Sequence, residues 1–284
     1  MRFAVSVPNL GEFTDPGQVA ELARRAEAAG WDGFFVWDHV VFAYGPIDTA
    51  DPWVLLTVVA AATTRIRFGP MVTPVARYRP GPLARRTTTL DRMSGGRLVF
   101  GAGLGFTLPA EFGTWGESVR PREVADRLDE GLAVLAGLWS GEQVDFHGEH
   151  LTATEVTFRP TPIQRPRPPV WIGCDWPHRR PLHRAVRWDG VAPTMVDPAA
   201  GSWRPTPAAV TELVATIGEL RSSTDPFDVV ITGRTLATEP AAARETTAAI
   251  AAAGATWWVE GFRPGPGEYA AALRRIEAGP PRAA

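Results

Sequence analysis

Short apolar runs alternate with amphipathic segments along the whole chain. Residues 2–7, 33–37 and 66–72 form apolar runs that are too short for helices and too apolar for surface elements. Between them, residues 15–30 place apolar side chains at helical spacing, and residues 51–64 open with the same Asp-Pro pair. Asp-Pro supplies an N-cap and a proline at the first helical position. The pattern therefore predicts strand, helix, strand, helix and strand in that order.

The same alternation continues to the end of the chain. Further strands are predicted at residues 97–103, 168–173, 190–195, 227–233 and 255–262, and further helices at 80–96, 121–141, 179–188, 206–221, 239–253 and 267–278. Strands that alternate with helices indicate parallel β/α units with right-handed crossovers. Eight units in 284 residues fit an α/β fold of the (β/α)8 TIM-barrel type better than an open doubly wound sheet, which stays the alternative. We expect a single domain over residues 1–284.

One segment interrupts the alternation of strands and helices. Residues 142–169 form an insertion between the fourth helix and the fifth strand, with a short hairpin pattern followed by a loop rich in Pro and Arg. Proline disrupts helix interiors and central strands, so long helices and central strands are excluded in this segment. We expect the insertion on the barrel surface, beside the mouth or as a lid over it.

Composition and charge exclude several classes of partner. Hydrophobic residues make up 45% of the chain and the formal net charge is −2, which lacks the basic surplus of a nucleic-acid-binding protein. No apolar run approaches the length of a membrane span, so none is predicted. The N-terminal residues lack a signal-peptide layout and Cys174 is the only cysteine, so we expect a cytoplasmic protein without a disulfide.

The absence of Lys among the basic residues excludes three kinds of functional site. All 29 of them are Arg, and the sequence contains no Lys. Schiff-base catalysis and attachment of pyridoxal phosphate need a Lys amine, and a Walker-type phosphate loop needs Gly-Lys followed by Ser or Thr. These three kinds of site are excluded.

The end of the second strand carries an acid and an imidazole, Asp38 and His39. Active sites of (β/α)8 barrels lie at the carboxyl ends of the strands, so this pair is expected at the barrel mouth. His39 can exchange a proton near neutral pH, and Asp38 can orient it or bond to a ring N–H of a cofactor. The alternative is structural, with Asp38 capping a loop and His39 packed.

Two other strand ends carry unusual sequences. In GAGLGF, which ends the fourth strand, Gly103 and Gly105 would let a flat ring approach the backbone, or would make a tight exit from the strand. In GCDWPHRR (173–180), backbone N–H groups, His178 and Arg179 could face a phosphate, or could form a basic surface cluster. Neither motif decides between its two interpretations.

The sequence gives little evidence for a metal site or for a site that binds an acidic cofactor tail. The His residues show neither a His-x-His pair after the first strand nor a His-Glu-x-x-His helix, so no metal site is predicted. Arg77, Arg79, Arg165 and Arg167 lie in loops, where they could attract an acidic cofactor tail or form a solvated surface.

The segments WDHV, GPMVTPVARYRPGPLARRTTTLDRMSGGRLVFGAGLGFTLPAEFGTWGE and WDG (188–190) resemble the luciferase-like flavin-dependent oxidoreductases. The resemblance covers residues 2 to about 262 and is most specific over 66–117, which includes a Gly-x-Gly-x-Gly run followed by Glu-Phe. It implies a (β/α)8 barrel, usually a homodimer or larger, with FMN or the deazaflavin F420 in the barrel mouth. Members with Asp-His after the second strand often use F420, so we expect F420, with FMN as the alternative.

The resemblance also implies roles for individual residues. It places Asp38 beside the cofactor ring, His39 in substrate proton chemistry, and a non-proline cis peptide bond near Pro70-Met71. We expect cofactor contacts from Asp38, Pro70, Met71, Thr73, Gly103, Gly105, Gly173, Cys174, Trp176, His178 and Arg179, catalysis by His39 and Asp38, and a substrate pocket walled by Trp37, Tyr44 and Phe106.

Two departures from the family pattern shape the functional prediction. F420-dependent sugar-phosphate dehydrogenases carry Glu where this chain has Phe106 and bind phosphate through Lys, so that activity is set aside. Asp175 would repel a phosphate at the fifth strand unless it points away.

We predict an F420- or FMN-dependent oxidoreductase or monooxygenase that acts on a small organic substrate, with a separate flavin or F420 reductase as a possible partner. The alternative is a non-catalytic flavin-binding barrel. A hydrolase or isomerase on this fold would need a carboxylate pair or a metal cluster at the mouth, and the sequence does not assemble one.

Overall fold

The computed structural model describes residues 1–42, 44–105, 109–195 and 204–282. Its strands are β1 (Arg2–Val7), β2 (Gly33–Val36), β3 (Arg67–Pro70), β4 (Thr73–Pro74), β5 (Phe100–Gly103), β6 (Gln143–His147), β7 (Thr152–Thr157), β8 (Val170–Trp176), β9 (Gly190–Met195), β10 (Asp228–Gly233) and β11 (Trp257–Gly261). Its α-helices are α1 (Pro16–Ala28), α2 (Pro52–Ala62), α3 (Pro80–Met93), α4 (Pro121–Ser140), α5 (Arg180–Ala185), α6 (Pro207–Leu220), α7 (Pro240–Ala252) and α8 (Glu268–Glu277).

The strands other than β6 and β7 form one parallel sheet in the order β3-β2-β1-β11-β10-β9-β8-β5-β4. β3 and β4 are the two halves of the predicted third strand. β4 pairs with β5, and a parallel bridge from Phe68 to Leu98 joins β3 to the same neighbour. The sheet therefore closes on itself, which confirms the (β/α)8 barrel over the open sheet.

Each of the first two predicted helices begins at its Asp-Pro pair. Oδ1 of Asp15 accepts a hydrogen bond from the backbone N–H of Gln18, 2.8 Å away. Oδ1 of Asp51 accepts from Trp53 and Val54, at 2.8 Å and 3.0 Å. These carboxylates satisfy N–H groups that the first helical turn leaves without an intrahelical partner.

Side chains along the barrel strands alternate between two apolar layers, as a period of two requires. The layer inside the barrel is a cluster of buried apolar residues packed against one another, namely Ala4, Phe35, Val99, Trp171, Val230, Trp257 and Val259. The alternate residues point outward and pack under the helices, for example Val5, Phe34 and Ile231. The barrel interior is therefore a solid core rather than a channel, and any ligand must lie above it.

The insertion lies on the outside of the barrel. β6 and β7 pair antiparallel, which confirms the predicted hairpin. The Glu130 carboxylate, in the middle of α4, accepts backbone N–H groups of Glu149, His150 and Leu151 at 2.8–3.0 Å. These bonds fasten the hairpin tip halfway along α4. The expectation of a place beside the mouth, or as a lid, is therefore wrong for the hairpin.

β8 is longer than the sequence predicts. The strand was expected to end at Gly173, but it continues to Trp176, and residues 173–176 pair with β9. The first half of the predicted phosphate loop, residues 173–176, is therefore extended strand. The following helix α5 has only 6 residues.

None of the helices in the described part of the chain is long and apolar enough to cross a membrane.

Candidate active site at the carboxyl ends of the strands

Partly exposed side chains lie above the inner core at the carboxyl ends of the strands. Met71 and Ala192 are partly buried and pack onto the inner core from this side. Thr194 follows Ala192 on the same face of β9, and Thr232 follows Val230 on the same face of β10. Both threonines are partly exposed. Trp37, just after β2, is also partly exposed. The buried core therefore gives way to an open, mixed apolar and hydroxyl layer at the barrel mouth.

Val72 is packed among the glycines of the neighbouring strands. A Cβ at Gly103 would lie 2.7 Å from Cγ2 of Val72, and a Cβ at Gly173 would lie 2.9 Å from the same atom. At Gly101, a Cβ would lie 2.1 Å from the carbonyl oxygen of Pro70. These glycines make room for the backbone and side chain of the third strand.

Contacts within the protein also explain why residue 105 is a glycine. Its φ is +68°, and a Cβ there would lie 2.6 Å from Cβ of Pro74. The sequence analysis expected Gly103 and Gly105 to give space to a flat ring. In the structure, the first neighbours of both positions are side chains of the 72–74 segment, so the ring contacts stay a prediction.

The segment between β3 and β4 contains the expected non-proline cis peptide bond. It joins Met71 to Val72, one bond after the predicted Pro70-Met71 position. Thr73 follows it, with its side chain fully buried and with no hydrogen-bond partner for Oγ1 among the described residues. Ser6, on the same face of β1 as Ala4, also has a buried hydroxyl without a partner there.

Asp38 is the most enclosed of the predicted site residues. Its carboxylate contacts the Arg77 guanidinium and accepts hydrogen bonds from the hydroxyl of Tyr78, at 3.0 and 3.1 Å. Nη2 of Arg77 also donates to the backbone carbonyl of Asp38, 3.1 Å away. The side chain of Asp38 is 0% exposed. Its observed contacts are thus with protein groups rather than with the mouth.

Burial raises the pKa of Asp38, and the Arg77 guanidinium and the nearby hydroxyls of Thr73 and Tyr78 oppose that rise. The Thr73 hydroxyl is near enough to act on the charge but does not form a hydrogen bond of normal geometry. Burial also raises the pKa of Tyr78, and the Asp38 carboxylate adds to the effect. Tyr78 is therefore a neutral hydrogen-bond donor at physiological pH.

His39 is fixed by contacts on its ring and on its backbone. Nδ1 of His39 lies 2.7 Å from Oε1 of Glu111, a residue of the loop after β5. Oδ1 of Asn9 accepts the His39 N–H at 3.1 Å, and Nδ2 of Asn9 donates to the His39 carbonyl at 2.8 Å. Because carboxylate oxygens accept hydrogen bonds, we assign the proton of this contact to Nδ1 of His39.

Arg77 links the two acidic residues of this site. Its Nη1 donates to Oε2 of Glu111 at 2.8 Å, while its Nη2 contacts Asp38. The Arg77 side chain is 8% exposed, and those of Asp38 and Glu111 are 0% and 2% exposed. His39, Glu111, Arg77 and Asp38 thus form a continuous buried row, which we call the mouth network.

The predicted phosphate contacts at the end of β8 are dispersed. Cys174 and Trp176 pack against the outer core under the helices, on the opposite strand face from Gly173. Burial and the nearby Asp175 raise the pKa of the Cys174 thiol to about 12, so it is neutral. His178 is exposed.

Arg179 is also exposed, and its Nη1 lies 3.8 Å from Oε2 of Glu219. The structure therefore does not bring the predicted contacts Cys174, Trp176, His178 and Arg179 together at one point.

The predicted substrate wall is only partly at the mouth. The Trp37 ring lies 5.8 Å from the His39 ring, measured between centroids. Tyr44 is 78% exposed and contacts the ring of Phe42 instead. Phe106 lies outside the described residues. Trp37 is thus the wall residue that the structure places beside His39.

Sequence analysis missed the residues that support the predicted pair. Arg77 was weighed as tail-binding or solvated surface, but it is buried in an ion pair. Glu111 is the Glu of the Glu-Phe pair in the family-like segment 66–117, which was the available signal for it. Asn9 and Tyr78 had no distinguishing pattern, because their partners are 30 or more residues away.

In the described ranges, no three His, Cys, Asp or Glu residues gather closely enough to hold a metal ion.

The sequence is similar to those of known proteins. The family model of luciferase-like monooxygenases matches residues 1–282. An F420-dependent glucose-6-phosphate dehydrogenase of Nakamurella multipartita is 35% identical over 168 residues, which are 57% of this chain and 48% of that protein. The chain thus spans about half the length of the curated relatives it matches.

Solved structures share the fold over nearly the whole chain. The coenzyme F420-dependent tetrahydromethanopterin reductase of Methanopyrus kandleri superposes with a TM-score of 0.77 at 18% identity, and covers 98% of each chain. The monooxygenase RslO1 of Streptomyces bottropensis superposes with a TM-score of 0.76 at 23% identity, again over 98% of both chains.

Proposed function

The chain belongs to the luciferase-like monooxygenase family, and from this premise we propose that it is an oxidoreductase that uses F420, or alternatively FMN, on a small organic substrate. The bound cofactor would supply the carbon that accepts or donates the hydride. The protein contributes a site that orients the cofactor and a side chain that takes up or gives a proton. His39 is that side chain in this proposal.

The observation that carries the proposal is the fixation of His39. Its ring is held by Glu111 at 2.7 Å, and its backbone by Asn9 on both the N–H and the carbonyl side. The Asn9 contacts fix the backbone of His39, and the Glu111 contact orients its ring, before a ligand arrives. Oxidation of an alcohol, or reduction of a carbonyl, moves a proton together with the hydride, and a fixed imidazole suits that step.

The residues of the mouth fit a flat, polar-edged ring. Met71 and Val72 offer an apolar floor at the third strand, raised by the packing of Val72 against Gly103 and Gly173. The buried hydroxyl of Ser6 has no hydrogen-bond partner among the described residues, and that of Thr73, which lies near Asp38, forms no hydrogen bond of normal geometry there. Both hydroxyls could bond to ring oxygens or nitrogens. We propose that these residues hold the cofactor ring.

Asp38 has an indirect role in this proposal. Its carboxylate is enclosed and engaged with Arg77 and Tyr78. We propose that it fixes Arg77, which in turn holds Glu111 against His39. The predicted contact of Asp38 with the ring stays a prediction.

One observation favours the alternative of a barrel without turnover. Asp175 lies on the same strand face as Gly173, toward the barrel axis, and it is exposed. A negative side chain at this end of β8 would disfavour a cofactor phosphate. FMN has its phosphate on the ribityl chain, and F420 also carries a phosphodiester, so both would experience this repulsion.

The partners of the proposed enzyme follow from the same premise. A small-molecule substrate is part of the oxidoreductase proposal. A separate flavin or F420 reductase would be needed if the reaction consumes reduced cofactor. We also propose a homodimer, and a cytoplasmic location.

Turnover by the full chain tests the proposal. The protein is mixed with F420 and a panel of alcohols, and with reduced F420 and a panel of aldehydes and ketones, while the cofactor absorbance is followed. We expect His39→Ala to keep cofactor binding and to lose turnover by a factor of about 100 or more. His147→Ala, in the exposed hairpin, is the matched control. Turnover that survives in His39→Ala would remove His39 from the chemistry.

A further inference from the structure

We propose that a groove beside His39 binds an uncharged, apolar part of the substrate, so that the substrate is a neutral organic molecule rather than a sugar phosphate. This inference rests on the proposed oxidoreductase function and names the substrate class of the same site. We call the groove the β2-loop groove, because its main wall is the loop that follows β2.

The β2-loop groove has a size and lining that suit a small apolar ligand. Its volume is about 450 Å³, within the range of small-molecule sites. Its apolar lining comes from Val41, Phe42, Pro46, Ile47 and Ala110. Ala110 belongs to the loop after β5. The groove therefore lies between the loop after β2 and the loop after β5. Burial of hydrocarbon there would remove apolar surface from water on both sides.

The groove adjoins the proposed proton-handling side chain on two sides. The Phe42 ring meets the His39 ring edge-on, with 5.9 Å between centroids. Ala110 directly precedes Glu111, which holds Nδ1 of His39. His39 itself does not line the groove, and the Phe42 ring stands between them. A molecule seated in the groove would therefore lie one side chain away from the His39 imidazole.

The wall of the groove is tied at both ends to a single residue. Nδ2 of Asn9 donates to the carbonyl of His39 at 2.8 Å and to the carbonyl of Ala50 at 2.7 Å. The backbone carbonyl of Asn9 also accepts the N–H of Ala50 at 2.9 Å. The loop between these two points thus starts and ends on Asn9, which fixes the base of the wall. A pre-formed base lowers the ordering cost of binding.

The charge of the lining disfavours a phosphate. Among the described residues that line the groove, the ionisable one is Asp48, which is exposed and negative at neutral pH. Phosphate sites use Arg, Lys or clustered backbone N–H groups. The nearest basic side chain of the mouth network, Arg77, is already engaged by Asp38 and Glu111. A neutral substrate avoids the repulsion by Asp48.

Binding of neutral ketones to the full chain tests the inference. The affinities of a series of 2-alkanones, from 2-butanone to 2-octanone, are measured by ligand-observed NMR without cofactor. We expect each added methylene to lower Kd about fourfold, because burial of a methylene is worth about 0.8 kcal/mol. Ala110→Trp fills the groove and should abolish this dependence. Met93→Trp adds the same ring at an exposed site at the end of α3 and should leave it unchanged.

A second variant covers the case in which Ala110→Trp does not fold. Phe42→Ala shortens the wall without adding bulk and should reduce the gain per methylene. A Kd that is independent of chain length, or competition by glucose 6-phosphate, would overturn the inference. F420 titration of the same protein tests the F420-dependent function separately from the substrate groove. Ketone binding without F420 binding would keep the groove and reject the F420-dependent function.

Discussion

Oε1 of Glu111 lies 2.7 Å from Nδ1 of His39, and this contact joins the loop after β5 to the end of β2. Oε2 of the same carboxylate accepts from Arg77 at 2.8 Å, and Arg77 contacts Asp38. The side chain that we assign to proton transfer thus stands at the end of a row that continues through Glu111 and Arg77 to Asp38. The row explains why an acidic residue precedes His39 at the strand end. Asp38 anchors the row from inside the protein.

Glu111→Gln should free the His39 tautomer. An amide can donate as well as accept, so it no longer requires the proton on Nδ1. Nitrogen NMR of the imidazole should show the Nδ1–H form in the wild type and a mixture of forms in the variant. Turnover should fall about 10- to 100-fold, as for lost partners of ligating histidines, while KM changes little. Glu117→Gln, in the same loop, is the control. An unchanged tautomer would contradict the positioning role of Glu111.

Arg77→Ala should strongly destabilise the fold. It leaves the Asp38 and Glu111 carboxylates buried without their shared cation. We expect the free energy of unfolding to fall by about 3–5 kcal/mol, as for one-sided loss of a buried ion pair. Urea denaturation measures it. Arg79→Ala removes an exposed Arg two residues away and should cost at most about 0.5 kcal/mol. Equal losses in the two variants would show that Arg77 is not held by the mouth network.

Gly103→Ala should clash with Val72, because the new Cβ would lie 2.7 Å from Cγ2 of that residue. We expect a loss of about 1–3 kcal/mol in the free energy of unfolding. The double variant Gly103→Ala with Val72→Ala should recover part of this loss, since the second change removes the clashing methyl group. Simple additivity of the two single losses in denaturation would mean that Val72 does not occupy the space beside Gly103.

Glu27 should make the fold more stable at neutral than at acid pH. Burial would raise its pKa, but the N–H groups of Ile66, Arg65 and Thr64 donate to the carboxylate and outweigh burial, so the pKa is lowered. The folded state then binds protons more weakly than the unfolded state. The resulting stabilisation is complete above the ordinary Glu pKa of 4.5 and disappears as the pH falls through the lower folded value.

Glu27→Gln isolates this effect. The variant should lose about 1 kcal/mol of unfolding free energy at pH 7, because it weakens charge-assisted hydrogen bonds. The difference from the wild type should vanish in acid. Denaturation curves at several pH values measure it, with Glu245→Gln on the exposed face of α7 as the control. A difference that persists unchanged in acid would contradict the assigned cause.

The barrel could be predicted from local patterns, because each unit carries its own signals. Asp15 and Asp51 cap the helices that their Asp-Pro pairs indicate, and the apolar runs at 2–7 and 33–37 are strands at nearly the predicted bounds. The division of the third strand into β3 and β4 could not be predicted. The run 66–72 is continuous in sequence, but the chain breaks the strand after Pro70 and resumes it at Thr73. Periodicity has no signal for such a break.

The candidate site was predicted only in part, because its support is not local. Asp38 and His39 could be found from their place after a strand. Arg77 has the same local pattern as exposed Arg79, and burial of one and not the other depends on distant carboxylates. Cys174 and Trp176 were expected at the mouth. Continuation of β8 past Gly173 sets their side chains on the outer face instead.

Cofactor binding tests the central claim most directly. The full chain is titrated with F420 and, separately, with FMN, and the change in protein and cofactor fluorescence is recorded. The account predicts saturable F420 binding that is at least about tenfold tighter than FMN binding, a difference of about 1.4 kcal/mol. Tighter FMN binding would replace F420 by the alternative cofactor. Failure of both cofactors to bind would contradict the claim that this barrel is a cofactor-dependent oxidoreductase.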